Sequence, residues 1–235
     1  MVWMTAFHFC FDLQHFGYTR QDFYADPFWT WQRTAIVSLF LFCAGLGQGV
    51  AAAQGQSWLR FWRRWRLVAG CALLVTAASY FMFPQSFIYF GVLHGLAVML
   101  LIARLTARWG RWLWLLGALA VGSKFAAEWV LTGSPAAVWF NGRSLNWLGW
   151  ISVKPFTEDY VPVFPWLGVV WWGVALGTAL QRRAGRLLRF ASAPLVKMRG
   201  LASVGRWSLV YYMLHQPVLI GLLTAYGAVF ASGRP

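Results

Sequence analysis

Seven runs of about twenty residues, each nearly free of charge, divide this chain, and each is long enough to cross a bilayer core of about 30 Å as a helix. They cover 2–18, 34–53, 67–83, 87–103, 112–131, 163–180 and 207–230. Hydrocarbon tolerates no unpaired backbone, so every run is expected to be α-helical. Composition agrees: 60% of the 235 residues are hydrophobic, 11% are charged, and the mean hydropathy is +0.55. Soluble proteins carry roughly 25% charged residues, which excludes a soluble enzyme or binding module. The expected fold is all-α: one integral membrane domain over 1–235, a polytopic transmembrane helix bundle of about seven spans.

The charges then set the orientation. Arg60, Arg63, Arg64 and Arg66 follow the second run, and Arg104, Arg108 and Arg111 the fourth. Arg182, Arg183, Arg186, Arg189, Lys197, Arg199 and Arg206 follow the sixth. All six acids fall toward the opposite side, where Arg20, Arg33, Lys124, Arg143, Lys154 and Arg234 balance them, so the whole net charge of +14 lies on one face. The excess of Lys and Arg on cytoplasmic loops places the N-terminus in the cytoplasm and the C-terminus outside. Anionic lipids at the cytoplasmic face become the expected partner of the basic loops, and nucleic acid is not needed to explain the charge. The segment 132–162 is read as an external loop, and 181–206 as a basic cytoplasmic segment, either an interfacial amphipathic helix broken near Pro194 or an irregular loop. Cys10, Cys43 and Cys71 lie inside runs with no paired-ligand spacing, so no metal is expected. A first span with no basic residue ahead of it predicts a native chain that extends further upstream.

Ionisable groups at membrane depth are costly and mark sites by default. All four histidines lie there. His8, Asp12 and His15 recur at helical spacing, a polar stripe along one face of the first span, and a carboxylate one turn from an imidazole can fix its tautomer and raise its basicity. The same stripe is also what a structural interhelical hydrogen bond would need. His94 sits between glycines in Gly91-Val-Leu-His94-Gly95, where it could meet His8 across the bundle, and His215-Gln216-Pro217 places two polar side chains at a helix break. Asp159 and Tyr160 precede Pro162 and Pro165 at the entry to the sixth span, on the rim of any external cavity. The stripe and the helix break suit either chemistry or a proton-coupled transporter of small molecules or lipids. An assembly partner would leave the histidines without a purpose.

Several strings then carry a resemblance that spans nearly the whole chain: His8-Phe-Cys-Phe-Asp12-Leu, Arg33 leading into Phe40-Leu-Phe-Cys-Ala-Gly45, Phe90-Gly-Val-Leu-His94, Asp159-Tyr-Val-Pro-Val-Phe-Pro-Trp166 and Gly205-Arg-Trp-Ser-Leu-Val-Tyr-Tyr-Met-Leu-His215-Gln-Pro217. The chain resembles the bacterial membrane proteins related to heparan-alpha-glucosaminide N-acetyltransferase, within the transmembrane acyltransferases. That resemblance implies transfer of an acyl group, usually acetyl from acetyl-CoA, to a sugar or glycan acceptor across a bacterial inner membrane, with no metal. On it His8, supported by Asp12, is the expected base or acyl carrier, and His94 orients or stabilises the oxyanion. His15, Asp159, Tyr160, His215 and Gln216 are the expected acceptor contacts. Arg33, Arg63, Arg64 and Arg206 are the candidates for CoA phosphates, which arginine can bind bidentately. A homodimer through the membrane helices is compatible with this plan.

Overall fold

The computed structural model describes residues 1–187 and 207–231, which are helical apart from short connections and two 3-10 turns. The helices are α1 (Val2–His15), α2 (Pro27–Ala53), α3 (Trp58–Met82), α4 (Val92–Thr106), α5 (Trp112–Leu131), a short α6 (Ala137–Asn141), α7 (Val163–Leu187) and α8 (Ser208–Ala231). Six of them, α2, α3, α4 with its 3-10 extension, α5, α7 and α8, are long and apolar enough to cross a membrane. The all-α, multi-pass class expected from the sequence is therefore observed.

The ends of the helices differ from the uncharged runs, for local reasons. α1 stops at His15 because Gly17, at a φ of 78°, ends it with bonds from Tyr18 N–H to the Leu13 carbonyl and from Gly17 N–H to that of Gln14. That pairing is a Schellman cap, and it leaves a helix about 21 Å long. α2 starts seven residues ahead of the expected 34, since Asp26 Oδ1 accepts the Phe28 N–H at 2.8 Å and Pro27 takes the first helical position. α3 begins at Trp58 rather than 67, so Arg60, Arg63, Arg64 and Arg66 lie within its first turns instead of in a loop. Phe61 on the same turns is buried, and Trp65 donates its indole N–H to the Ala97 carbonyl at 2.8 Å, which ties this basic stretch to α4. α4 begins at Val92, because the preceding residues are held extended. α7 continues past 180 to Leu187. The remainder of the basic segment, with its expected break near Pro194, lies outside the described residues.

The chain forms two compact units, residues 1–37 with 193–235, and residues 38–192. In the first, α1 packs on α8, and Phe23, 2% exposed, is wedged against Phe7, Phe11 and Trp29. In the second, α7 is the central helix, with Leu167, Val170 and Val174 almost fully buried, and it packs on α4 and α5. Its contact with α2 is made backbone to backbone. A Cβ added at Gly173 would stand 2.2 Å from the Phe42 carbonyl oxygen, and one at Gly177 2.3 Å from that of Leu46. Reciprocally, a Cβ added at Gly45 or Gly49 would stand 2.2 or 2.4 Å from the Val170 or Val174 carbonyl oxygen. Small residues spaced by four on both helices let main chains approach this closely, and van der Waals contact then holds helices that the hydrophobic effect cannot drive together in lipid. This seam fixes the frame on which the loops of the second unit are hung.

Candidate active site

In the first unit the polar face of α1 meets the His215-Gln216-Pro217 turn of α8. Asp12 is only 3% exposed, and its Oδ1 accepts a hydrogen bond from Gln216 Nε2 at 2.8 Å. The amide of the neighbouring helix thus engages the carboxylate that the sequence pairs with His8. Asp12 Oδ2 is buried with no partner among the described residues. The His8 ring stands edge-on to His215, centroids 5.1 Å apart. His215 Nδ1 lies 2.7 Å from the Tyr212 carbonyl oxygen. A carbonyl only accepts, so Nδ1 carries the proton and, in the neutral ring, Nε2 is a bare lone pair. That Nε2 is buried without a partner, and so is Gln216 Oε1. Tyr211 stacks parallel on His215 and its hydroxyl meets Thr5 Oγ1 at 2.5 Å, while His15 lies one turn further along α1, edge-on to Phe16.

Three buried acceptors with no donor cost about 1–3 kcal/mol each. Chemically, such a cluster can take up a proton, or accept hydrogen bonds from a donor-bearing group brought to it.

The second unit gathers His94, Asp159 and Tyr160, and each of these three side chains is hydrogen-bonded. Asp159 Oδ2 accepts the Val92 N–H at 2.7 Å, so its carboxylate caps the positive end of α4. The backbone of Tyr160 pairs with Phe90 in an isolated parallel bridge, with Val161 N–H on the Phe90 carbonyl, and Glu158 N–H reaches the Ser86 carbonyl. These contacts hold 86–90 extended and set where α4 can start. Thr76 Oγ1 donates to the Ile88 carbonyl at 2.8 Å and lies 2.9 Å from His94 Nε2. A hydroxyl has one proton, so it must accept from Nε2–H, and Nδ1 then takes the Gly91 N–H at 3.3 Å. Tyr160 donates its hydroxyl to the Asn146 carbonyl at 2.6 Å, and Asn146 Nδ2 donates to the Tyr89 hydroxyl at 2.8 Å. Burial, and then Tyr89, pushes the Tyr160 phenol above its ordinary value, so it remains a donor.

Of the arginines expected at CoA phosphates, Arg33 is half-buried on α2, Arg63 and Arg64 are exposed on α3, and Arg206 lies outside the described residues. Thr76, Tyr89, Arg143 and Asn146 are absent from the sequence-derived set. Asn146, 1% exposed, carried the one available signal, an amide in a stretch otherwise flanked by Leu145, Trp147 and Leu148.

With this geometry in hand, the chain was compared with known proteins. The family model for heparan-alpha-glucosaminide N-acetyltransferase, catalytic, matches residues 1–217. Neither a curated protein nor a solved structure matches it.

Proposed function

The chain belongs to the heparan-alpha-glucosaminide N-acetyltransferase catalytic family of membrane acetyltransferases, and from that premise we propose that it moves an acetyl group from cytoplasmic acetyl-CoA to an extracytoplasmic sugar or glycan acceptor. The observation that supports this reading is the set of three buried, donor-less acceptors on α1 and α8, Asp12 Oδ2, His215 Nε2 and Gln216 Oε1, beside the His8 ring. In acyl transfer the acceptor must give up its proton as its oxygen or nitrogen bonds the acyl carbon, and a group that takes that proton needs a free lone pair.

In the proposed reaction the acceptor oxygen or nitrogen attacks the thioester carbonyl carbon, the C–S bond breaks, and the acceptor's proton passes to His8 and on to the departing CoA thiolate. His8 serves as general base in this direct transfer; as a transient acyl carrier its ring nitrogen would instead attack the thioester, release CoA as the C–S bond breaks, and give the acetyl group to the acceptor as the C–N bond breaks. Asp12, held by Gln216, offsets the imidazolium that forms when His8 takes the proton. His15, His215 and Gln216 would meet the acceptor. His94, in the second unit, acts as an orienting residue through the turn it holds together. Arg33, Arg63, Arg64 and Arg206 would receive the CoA phosphates, with anionic lipid against the remaining cations of the basic loops, in a bacterial inner membrane.

The test is a thermal-shift titration of the purified protein with acetyl-CoA, CoA and an unrelated nucleotide, followed by radiolabelled acetyl transfer to amino sugars in proteoliposomes. A ligand held by the folded state alone raises its stability by about 2.7 kcal/mol at a hundredfold excess over Kd. Selective stabilisation by acetyl-CoA, and transfer that is lost in His8→Ala, are expected. Absence of both, with proton-coupled solute flux in the same vesicles, would replace the acyltransferase reading with the transporter.

A further inference from the structure

Arg143 lies outside every role assigned above. Its guanidinium sits over two aromatic rings, 5.3 Å from the centroid of Phe87 and 5.5 Å from that of Tyr89. A cation–π contact of this kind uses the guanidinium charge and leaves its N–H donors free for a ligand. Those donors make no hydrogen bond or ion pair with any described residue, and the side chain is exposed. The two acids of the same segment are already engaged: Glu158 takes the Ser86 hydroxyl at 2.5 Å, and Asp159 caps α4. The rings beneath Arg143 are themselves fixed. Tyr89 accepts from Asn146 Nδ2, which leaves its own hydroxyl proton available, and Asn146 is buried and also bound to Tyr160. Burial pushes the Tyr89 phenol above its ordinary value, against the opposing pull of Asn146 and Arg143, so that hydroxyl remains a donor.

We propose that Arg143, held over the Phe87 and Tyr89 rings by cation–π contact and flanked by the Tyr89 hydroxyl, is an oxyanion-binding site that holds a carboxylate or phosphate. A fork of N–H donors in one plane matches two oxygens of such a group, and the two ring contacts hold the guanidinium near Tyr89 before the ligand arrives. The anion has two possible sources, a charged group on the acceptor sugar or a lipid headgroup, since Val138 and Trp139 on the adjoining α6 are 77% and 71% exposed, as lipid-facing residues are. Only the first source rests on the acyl-transfer reading.

Binding of glucosamine, glucosamine 6-phosphate and inorganic phosphate to the full chain in phosphatidylcholine nanodiscs is measured by thermal shift, without turnover. Wild type is expected to bind the phosphorylated sugar about tenfold more tightly than the neutral one, as charge-assisted bonds require. Arg143→Gln should erase that preference, and Arg143→Lys should keep only part of it, since an ammonium lacks the fork. Tyr89→Phe should lower it about threefold, and serves if the arginine variants unfold. If replacing about a third of the lipid by phosphatidylglycerol weakens sugar-phosphate binding in wild type and not in Arg143→Gln, the headgroup is the occupant. Equal affinity for both sugars together with indifference to phosphatidylglycerol, or a preference that survives Arg143→Gln, overturns the site. A protein that binds the charged sugar and transfers no acetyl group sinks the acyltransferase reading alone, whereas one that acetylates both sugars equally well and binds no phosphate sinks only this one.

Discussion

His94 and His215 both stand on helices long and apolar enough to cross a membrane, and each has one ring nitrogen tied to the backbone. At His94 the nitrogen Nδ1 accepts the Gly91 N–H, and the opposite Nε2–H is given to Thr76. At His215 the tie is reversed: Nδ1–H is given to the Tyr212 carbonyl, and Nε2 is left as a bare, buried lone pair. One backbone contact of opposite polarity thus yields opposite tautomers. Their surroundings follow suit. Around His94, Asp159 and Tyr160 each bond a backbone group and fix the start of α4, whereas around His215 three acceptors wait without a donor. Buried polar groups are ordinarily satisfied, and each exception needs a reason. The closed network reads as scaffold and the open one as chemistry.

That contrast breaks most readily at His8. Its replacement by Ala should reduce acetyl transfer by about 10²–10⁴-fold, the range for a lost general base, with size-exclusion behaviour unchanged. Asp12→Asn keeps an acceptor for Gln216 and removes only the charge. Turnover should fall about tenfold while thermal stability holds, and a large drop in stability instead would move Asp12 from chemistry to scaffold. His94→Ala should invert this pattern, costing about 2 kcal/mol of stability through two lost hydrogen bonds and changing turnover at low temperature much less. Were His94→Ala inactive but fully stable, the division drawn here would fail. The smallest effect belongs to Thr76→Val, about 1 kcal/mol, which sharpens the assignment if the double variant with His94→Ala costs no more than the single one.

Much of this was legible in the sequence, since uncharged runs report burial in lipid directly. All seven runs overlap an observed helix, and the fifth, 112–131, coincides with α5. Helix ends were not legible from charge, because capping overrides it. Asp26-Pro27 starts α2 ahead of Arg33, and the arginines at the head of α3 are good helix formers that a charge-bounded search discards. At the sites, the four histidines stand out as ionisable groups in apolar runs, and Asp12 with them. Their tautomers do not, because these depend on the Tyr212 carbonyl and the Gly91 N–H, which any residue would supply. The Arg143 network was hidden for another reason. Tyr89 and Asn146 are 57 positions apart, and it takes the pairing of residues 86–92 with 157–161 to bring those stretches together.

The glycines shared by α2 and α7 carry a consequence for how variation in this chain will read. At Gly45, Gly49, Gly173 and Gly177 even a methyl group would collide with a carbonyl of the facing helix. In a saturation-mutagenesis map these four positions will therefore be as intolerant as any catalytic histidine, although nothing at them can donate, accept or titrate. Intolerance that extends even to alanine marks the seam, whereas a histidine whose loss leaves folding intact and silences turnover marks the chemistry.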